Sequence, residues 1–550
     1  MTRRLALVLA LCGSWSTVTA SAHEENVDYA TVARIREEAF SNSKVMETLS
    51  RLTDGIGPRL TGSPQYKKAH DWTREQLESW GLQSAHLESW EFGRGWSYEA
   101  ASVRMIAPSV APLIAVPKDW TPGTPGAVKG KVVKAKLESE ADLEKWKGKL
   151  AGVVLFTADA RELKAPDKAY FLRYTDQELD ELAQFSIPGA QRPGGPPPGV
   201  PFDREAAMRR FRFQPVLRKF LIEEKVLATV EPSDRDGGIV RVGGGGSREK
   251  KEDPGPPALV LAAEHYNRIC RLIDKKQEVE LELDIKAQFH DEDSLGYNTI
   301  AEIPGTDKNP EIVMVGAHLD SWHAGTGATD NAAGSAVAME AVRILKALDI
   351  KPKRTIRIGL WGGEEQGLLG SRAYVKAHFA SRPEPPEGQR DIPSYMRPPS
   401  GPLTVKPDHA KFSVYFNLDN GTGKIRGIYA QGNLAADTVF KAWLAPLADL
   451  GAATLTNRNT GGTDHQSFDS VGLPGFQFIQ DQADYFTRTH HTNMDVADRL
   501  QRDDMMQASA VMASFVYHAA MRAERFPRKS MPKDPPPSPV PSPPASPPAK

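Results

Sequence analysis

The sequence predicts an α/β fold in which helices cover a buried sheet, and two patterns support this. Short apolar runs, typical of buried strands, occur at Ile312 to Ala317, Thr355 to Trp361, Phe412 to Leu418 and Phe476 to Ile479. Apolar residues at helical spacing begin at Ala333, directly after the first run, and indicate a helix between two strands. Strands that alternate with helices are characteristic of α/β proteins.

Side chains that can bind metal follow these predicted strands at the points where they end. His318 follows the first strand and Asp419 the third, while the pair Glu364 and Glu365 comes after the second. Open α/β sheets place their sites at the carboxyl ends of their strands. Imidazole and carboxylate groups bind zinc, and two metal ions that share a carboxylate suit amide hydrolysis. The spacing therefore predicts a two-zinc hydrolytic site at this edge.

Two further segments carry candidate residues. The first motif continues through Asp320 to TDNAAGS, which contains Asp330, and a later segment, YFTRTHHTNMD, contains the pair His490 and His491. Asp330 precedes the predicted helix, so a capping role explains it equally well when it is considered alone. A lone histidine or a Glu-Glu pair is usually structural or solvated. The ordered set of segments, and no single member of it, predicts the metal site.

The order HxD, DNAAGS, GGEEQGLLGS, NLDN, HHTNMD resembles that of the co-catalytic di-zinc exopeptidases. This family includes bacterial leucyl aminopeptidases and glutamate carboxypeptidase II, and GAHLDSWHAGTGATDNAAG looks most like the carboxypeptidase Q branch. The resemblance covers residues 28–110 and 290–525. It implies a three-layer αβα sandwich with a mixed sheet, an inserted mostly-β protease-associated domain, and two Zn²⁺ ions per chain.

The resemblance also implies a ligand set. His318 and Asp419 would bind one zinc ion, and Glu365 and His491 would bind the other. Asp330 would bridge both ions.

Three further roles follow from the resemblance. Glu364 would act as general base on the attacking water, and Asp320 would hold the His318 ring by a hydrogen bond to its non-ligating nitrogen. The doublet His490-His491 leaves the ligand register open by one residue. The family pattern, a histidine followed by Thr or Ser, favours His491, which leaves His490 to stabilise the oxyanion.

The predicted function is that of a secreted di-zinc metallo-exopeptidase that hydrolyses terminal peptide bonds. Both an aminopeptidase and a carboxypeptidase Q-like dipeptidase remain open. A non-catalytic, receptor-like binding module is one alternative, and the intact Glu364 argues against it. A single-zinc glutaminyl cyclase is the other. That group lacks the full two-metal set, whereas this chain has both His318 and Asp419.

The N-terminus predicts an exported protein. Arg3 and Arg4 precede the apolar run Leu5 to Cys12, and Ala20-Ser21-Ala22 provides a small-residue cleavage site. Residues 1–22 therefore read as a signal peptide that is too short to span a membrane, and the expected location is periplasmic or extracellular. Cleavage there leaves Cys270 as the remaining cysteine, so no intramolecular disulfide is expected.

Composition narrows the expected partners. The chain has 69 basic and 70 acidic residues and a formal charge of −1, which gives no basis for binding nucleic acid or an acidic membrane surface. No other apolar stretch is long enough to span a bilayer. Peptide substrates are the expected partners, and a homodimer stays open. The charged stretch 167–219 suits a lid, a dimer contact or a plain surface excursion.

A chain of 550 residues is too long for one domain. VKGKVVKA followed by KLAGVVLF resembles the start of a protease-associated domain, and the C-terminal segment is rich in Pro and Ser. The predicted parts, in chain order, are the signal peptide 1–22, an N-terminal part of the peptidase domain 23–118, a protease-associated-like insertion 119–290, the catalytic domain 291–527 and a disordered tail 528–550.

Overall fold

The computed structural model describes residues 25–185, 203–389, 392 and 400–534. The predicted signal peptide lies outside the described residues. The strands are β1 (Gln83–Glu91), β2 (Gly95–Ala107), β3 (Ala111–Pro112), β4 (Ala115–Pro117), β5 (Val128–Lys134), β6 (Val153–Phe156), β7 (Ala228–Pro232), β8 (Ala258–Leu261), β9 (Glu280–His290), β10 (Leu295–Ile303), β11 (Ile312–His318), β12 (Thr355–Trp361), β13 (Ala380–Ser381), β14 (Thr404–Val405), β15 (Phe412–Asn417), β16 (Ile425–Tyr429), β17 (Thr454–Thr456) and β18 (Gly475–Gln480).

Helices separate many of these strands along the chain. They are α1 (Tyr29–Ser41), α2 (Val45–Ser50), α3 (Pro64–Ser79), α4 (Glu140–Trp146), α5 (Asp176–Ala183), α6 (Arg204–Glu223), α7 (Ala263–Asp274), α8 (Ala333–Ala347), α9 (Leu369–His378), α10 (Asp437–Leu444), α11 (His465–Asp469) and α12 (Arg502–Met521). The helix predicted to begin at Ala333 is α8.

The larger part of the described chain surrounds one mixed sheet of eight strands. Its strand order is β1-β10-β12-β11-β15-β18-β16-β17. The four central strands β12, β11, β15 and β18 are parallel neighbours, so their carboxyl ends lie at one edge. The predicted run Thr355 to Trp361 is reproduced as β12, and the other three differ from their strands by a residue at one or both ends. This sheet therefore gathers the residues that follow those strands.

Helices cover both faces of this first sheet. On one face α1, α2, α8, α10 and α12 contribute buried apolar side chains to one continuous core with the sheet. On the other face α9 and α11 pack over Trp361 and Tyr415. The predicted αβα sandwich with a mixed sheet is confirmed.

The large core gives a stability prediction at Phe515 of α12. Its side chain is fully buried, and its ring lies 5.2 Å from that of Phe478 and 5.7 Å from that of Trp443, between ring centroids. We expect Phe515→Ala to reduce the free energy of unfolding by about 3–5 kcal/mol, because the lost contacts leave a cavity. Thermal denaturation checks this, with Tyr29→Ala as control because Tyr29 is 61% exposed. Equal losses in both variants would contradict the packing described.

A second sheet of eight strands has the order β3-β2-β9-β5-β6-β7-β8-β4. The stretches VKGKVVKA and KLAGVVLF, which resemble the start of a protease-associated domain, contain β5 and β6. The sheet also includes β2, which begins at Gly95 and pairs antiparallel with β9 along most of its length. The second sheet therefore includes strands that the predicted boundary at 118 assigned to the peptidase domain. The sequence does not reveal this, because β2 pairs with a strand that is distant in sequence and such pairing leaves no local signal. The division into domains stays a prediction.

Part of the charged stretch 167–219 contacts the chain that surrounds the first sheet. Leu172 and Ala483 exchange two backbone hydrogen bonds of 2.7 and 2.8 Å. The Arg173 guanidinium lies 3.0 Å from the carboxylate of Asp481 and 2.7 Å from that of Asp504. This part of the excursion is anchored beside the segment that leads to His490.

Part of the predicted C-terminal tail also makes defined contacts. Arg528 donates to the carbonyl of His409 at 2.8 Å, and the Lys529 ammonium lies 2.5 Å from the carboxylate of Asp469. Charged residues at the start of this segment therefore find partners on the protein surface, and the predicted disorder of 528–550 stays a prediction. Residues 535–550 lie outside the described residues. Within the described chain, no helix has both the length and the apolar character needed to cross a bilayer.

Candidate metal centre

The central strands of the first sheet deliver four candidate side chains to one edge. His318 is the last residue of β11, Glu364 and Glu365 follow β12, and Asp419 follows β15. Because these strands are parallel neighbours, their carboxyl ends bring the four side chains together. All four are shielded from solvent, with side-chain exposures of 1% for His318 and 7% for Asp419.

A sharp turn of two glycines brings Glu364 back over the sheet edge. Gly363 has a φ of +68°, a backbone angle that residues other than glycine rarely adopt. A Cβ at Gly362 would lie 1.9 Å from the hydroxyl of Tyr66, so only glycine fits there. The pair Gly362-Gly363 thus sets the position of the two glutamates.

Four of the predicted ligands surround the carboxylate of the fifth, Asp330. Its Oδ1 lies 3.2 Å from Nε2 of His318, and that nitrogen lies 3.4 Å from Oδ1 of Asp419. Its Oδ2 lies 3.2 Å from Nε2 of His491, which lies 3.0 Å from Oε2 of Glu365. The two oxygens of one carboxylate therefore face two separate pairs, each with one histidine and one carboxylate.

These distances and donors fit zinc. A tetrahedral zinc ion with bonds of about 2.0–2.1 Å holds its ligand atoms about 3.3 Å apart, close to the separations found here. Nδ1 of His318 lies 3.0 Å from the carbonyl oxygen of Asp320, so it carries the proton and Nε2 presents a lone pair. Nε2 of His318 and Oε1 of Glu365 are buried and lack a hydrogen-bond partner among the described residues. Buried polar atoms normally have a partner, and a bound metal ion would supply one for both of these atoms.

The electrostatics of the cluster also favour a bound cation. Burial, with repulsion from Asp330, raises the pKa of Glu365 to about 7. Burial and nearby carboxylates also raise the pKa of Glu364 well above its usual range, although His318 opposes this. Burial alone would lower the pKa of His491, but Glu365 and Asp330 outweigh it and raise that pKa to about 10. Buried carboxylates so close together are costly unless positive charge compensates them.

Asp320 approaches the His318 ring mainly through its backbone, and the predicted role of its side chain stays a prediction. The His318 ring is held by the Asp320 backbone carbonyl at 3.0 Å, while the carboxylate Oδ1 lies 3.5 Å from the same Nδ1. The carboxylate instead accepts hydrogen bonds from the backbone N–H groups of Glu364 and Glu365, at 3.2 and 3.3 Å, and from the Thr61 hydroxyl at 3.1 Å. Asp320 therefore fixes the turn that carries the two glutamates, because its own carbonyl already satisfies the ring.

The two adjacent histidines differ in their distances to the cluster. Their rings are stacked with centroids 3.7 Å apart. Nε2 of His490 lies 3.8 Å from Oδ2 of Asp330, farther than the 3.2 Å of His491. Burial and the neighbouring His491 lower the pKa of His490 to about 3, so it is neutral near pH 7. The distances favour His491 as ligand, and a neutral His490 offers an N–H donor at the rim.

Asp495 supports the backbone at Asp330, a contact that sequence reasoning did not assign. Its carboxylate accepts hydrogen bonds from the Thr329 backbone N–H at 2.5 Å, the Thr329 hydroxyl at 2.7 Å and the Asp330 N–H at 3.3 Å. Asp495 therefore fixes the backbone on which Asp330 stands.

Arg59, in the loop before α3, has a structural role. Its side chain is fully buried, and its guanidinium donates to the carbonyl oxygens of Leu319 and Gly327, both at 2.7 Å. These carbonyls belong to the loops that carry Asp320 and Asp330. Arg59 therefore ties the two loops together.

Comparisons with known proteins support the predicted resemblance. Residues 298–516 match the family model Peptidase family M28. Carboxypeptidase Q of Mus musculus is 26% identical over 511 residues, which cover 92% of this chain and 92% of that protein. The predicted family resemblance is confirmed. The predicted enzyme class, a zinc-dependent exopeptidase, is confirmed by the same comparisons.

Two solved structures agree with the fold. The crystal structure of a peptidase M28 precursor from Shewanella amazonensis aligns with a TM-score of 0.63 at 25% identity, covering 92% of this chain and 99% of that one. A zinc aminopeptidase from Bacillus subtilis aligns with a TM-score of 0.52 at 18% identity, covering 87% of this chain and 94% of that one. The second likeness shows the fold alone.

Proposed function

We propose that the chain is an exported di-zinc exopeptidase that hydrolyses a terminal peptide bond of peptides or dipeptides. The observation that carries the proposal is the carboxylate of Asp330, whose two oxygens face His318 and His491 at 3.2 Å each. The match to the M28 family and the name of the relative, carboxypeptidase Q, support an exopeptidase. The predicted signal peptide, residues 1–22, supports export.

The proposed ligand set follows from the distances around Asp330. His318 and Asp419 would hold one zinc ion, and Glu365 and His491 would hold the other. Asp330 would be a ligand of both. Zinc bound there supplies Lewis acidity towards a water molecule and towards the peptide carbonyl.

Glu364 is the proposed general base. It groups with His318 and Asp419, and no ion pair within 4.0 Å occupies its carboxylate among the described residues. A carboxylate oxygen of Glu364 accepts a proton from the attacking water and later returns it to the nitrogen of the leaving amine. Its raised pKa suits both transfers, and Asp320 holds its backbone in place through the Glu364 N–H.

His490 is the proposed hydrogen-bond donor to the oxyanion. Because its ring is neutral near pH 7, one ring nitrogen carries a proton that it can donate towards a developing negative charge. The stacked His491 fixes the orientation of the ring.

Metal analysis of two single variants tests the histidine register. We expect His491→Ala to lower bound zinc towards one ion per chain, because a ligand is lost. His490→Ala should keep zinc near two ions and lower the turnover number ~100- to 1,000-fold, with a smaller effect on the Michaelis constant. Zinc lost from the His490 variant and kept in the His491 variant would shift the register by one residue.

A substrate screen tests the proposed function. The zinc-loaded enzyme is assayed against amino-acyl chromogenic substrates and against dipeptides with free or blocked N-termini, with product analysis. Release of single amino acids from a chain end supports an exopeptidase, and the pattern of blocking separates an aminopeptidase from a dipeptidase. An enzyme that holds two zinc ions and cleaves none of these compounds would contradict the proposal.

A further inference from the structure

A segment that links two strands of the second sheet reaches the metal centre of the first. The N–H of Val242 donates to the carbonyl oxygen of His491 at 2.9 Å. Next to it, Arg241 and Thr492 form an antiparallel bridge. This short ladder fixes residues 233–242 beside the histidine pair, so side chains of this segment stand at the rim of the site.

Two arginines of this segment share one carboxylate. Asp234 Oδ2 lies 2.9 Å from Nη1 of Arg241 and 3.6 Å from Nη1 of Arg235. The side chains of Arg235 and Arg241 are 26% and 33% exposed, and the Nε atom of each is buried without a hydrogen-bond partner among the described residues. One aspartate cannot neutralise two guanidinium groups, so the pair retains donors and positive charge.

The surroundings add positive charge to this pair. Arg161 donates to the carbonyl of Ser233 at 3.3 Å, and the Arg488 guanidinium lies 4.4 Å from the centroid of the Tyr170 ring. The Tyr170 hydroxyl donates to the carboxylate of Asp236 at 3.4 Å. The charged side chains that act on Arg235 are Asp234, Arg241, Arg161 and Asp236. Counted with Arg235 itself, three guanidinium groups there face two carboxylates. Farther along the segment, Glu264 accepts hydrogen bonds from the backbone N–H groups of Gly237 and Gly238.

The arginine pair is close to the atoms around which the chemistry is proposed. Nη2 of Arg235 donates to the carbonyl of Phe486 at 3.3 Å, and the Phe486 ring lies 5.6 Å from that of His490, between centroids. Arg235 thus contacts the residue whose ring packs beside that of His490.

Arginine is well suited to bind carboxylates, because its planar guanidinium can donate two parallel hydrogen bonds. In a dipeptide the free carboxylate lies within one residue of the scissile bond, a span of about 3.8 Å between Cα atoms. We propose that Arg235 and Arg241 bind the free C-terminal carboxylate of the substrate. Preferred substrates are then peptides cleaved next to a free C-terminus, dipeptides above all. This inference rests on the proposed function and adds the substrate class to it.

Paired substrates test the proposal. The zinc-loaded enzyme is assayed with the dipeptide it cleaves fastest and with the same dipeptide carrying a C-terminal amide. We expect kcat/KM to favour the free acid by about 10- to 100-fold, mainly through KM. In the variant with Arg235→Gln and Arg241→Gln the preference should disappear, while cleavage of the amide and zinc content stay unchanged. Arg104→Gln, on β2 and paired with Glu282, is the control.

A binding measurement makes the test independent of turnover. Calorimetry on Glu364→Gln should show the free dipeptide binding about tenfold or more tightly than its amide, and this difference should vanish when both arginines are also replaced. Equal affinities for acid and amide, or a difference that survives the loss of both arginines, would overturn the proposal. Failure of hydrolysis with the binding difference intact would count against the proposed function alone.

Discussion

Replacing Asp330 with alanine is expected to lower activity by ~1,000-fold or more and to reduce zinc content below two ions per chain. One carboxylate stands between His318 and His491, 3.2 Å from each, so its loss removes a ligand from both proposed metal positions. Zinc is measured by mass spectrometry on dialysed protein, and activity on the best substrate from the screen.

Asp408→Ala is a suitable control for Asp330→Ala, because Asp408 is an exposed acid that pairs with Lys411. It should retain both zinc ions and full activity. Two zinc ions per chain in the Asp330 variant would mean that another residue bridges the metals.

Replacing Glu364 with glutamine is expected to separate chemistry from metal binding. Glutamine fills the same space but cannot accept the proton from the attacking water. Turnover should fall ~100- to 10,000-fold, while zinc content stays near two. Single-turnover kinetics, together with zinc analysis of the same sample, measures both quantities.

The adjacent residue provides a matched comparison for this variant. Glu365→Gln should lose zinc, because Oε2 of Glu365 lies 3.0 Å from the proposed ligand nitrogen of His491. The two variants differ only in which of two neighbouring carboxylates is removed. Near-normal turnover in Glu364→Gln would exclude Glu364 as the base.

Much of the first sheet and its metal edge could be predicted from sequence, for a physical reason. Central parallel strands are buried on both faces, so they read as continuous apolar runs with clear ends, as at Thr355–Trp361. The proposed ligands His318 and Asp419 lie at or just past those ends. Local pattern therefore carried most of the information about the sheet edge.

The supporting residues could not be predicted in this way, because their partners are distant in sequence. Arg59 bonds to a carbonyl 260 residues away, and Asp495 bonds to a backbone group 166 residues away. Arg235 and Arg241 reach the site only because their segment pairs with the chain beside His491. No local spacing marks such contacts.

The sequence around Asp330 allowed two interpretations, metal binding and capping of the helix that follows. In the structure α8 begins at Ala333 with Ala332 as its N-cap residue, and the Asp330 side chain faces the two histidines instead. Only the fold, which places His318 and His491 on opposite sides of this carboxylate, separates the two interpretations.

Zinc content against activity during reconstitution tests the central claim most directly. The enzyme is stripped with a chelator, zinc is added in steps, and bound metal and peptide hydrolysis are measured at each step. The account predicts saturation at two zinc ions per chain, with full activity reached only there. Saturation at one ion, as expected for a single-zinc cyclase, or no specific zinc binding, as expected for a non-catalytic module, would contradict it.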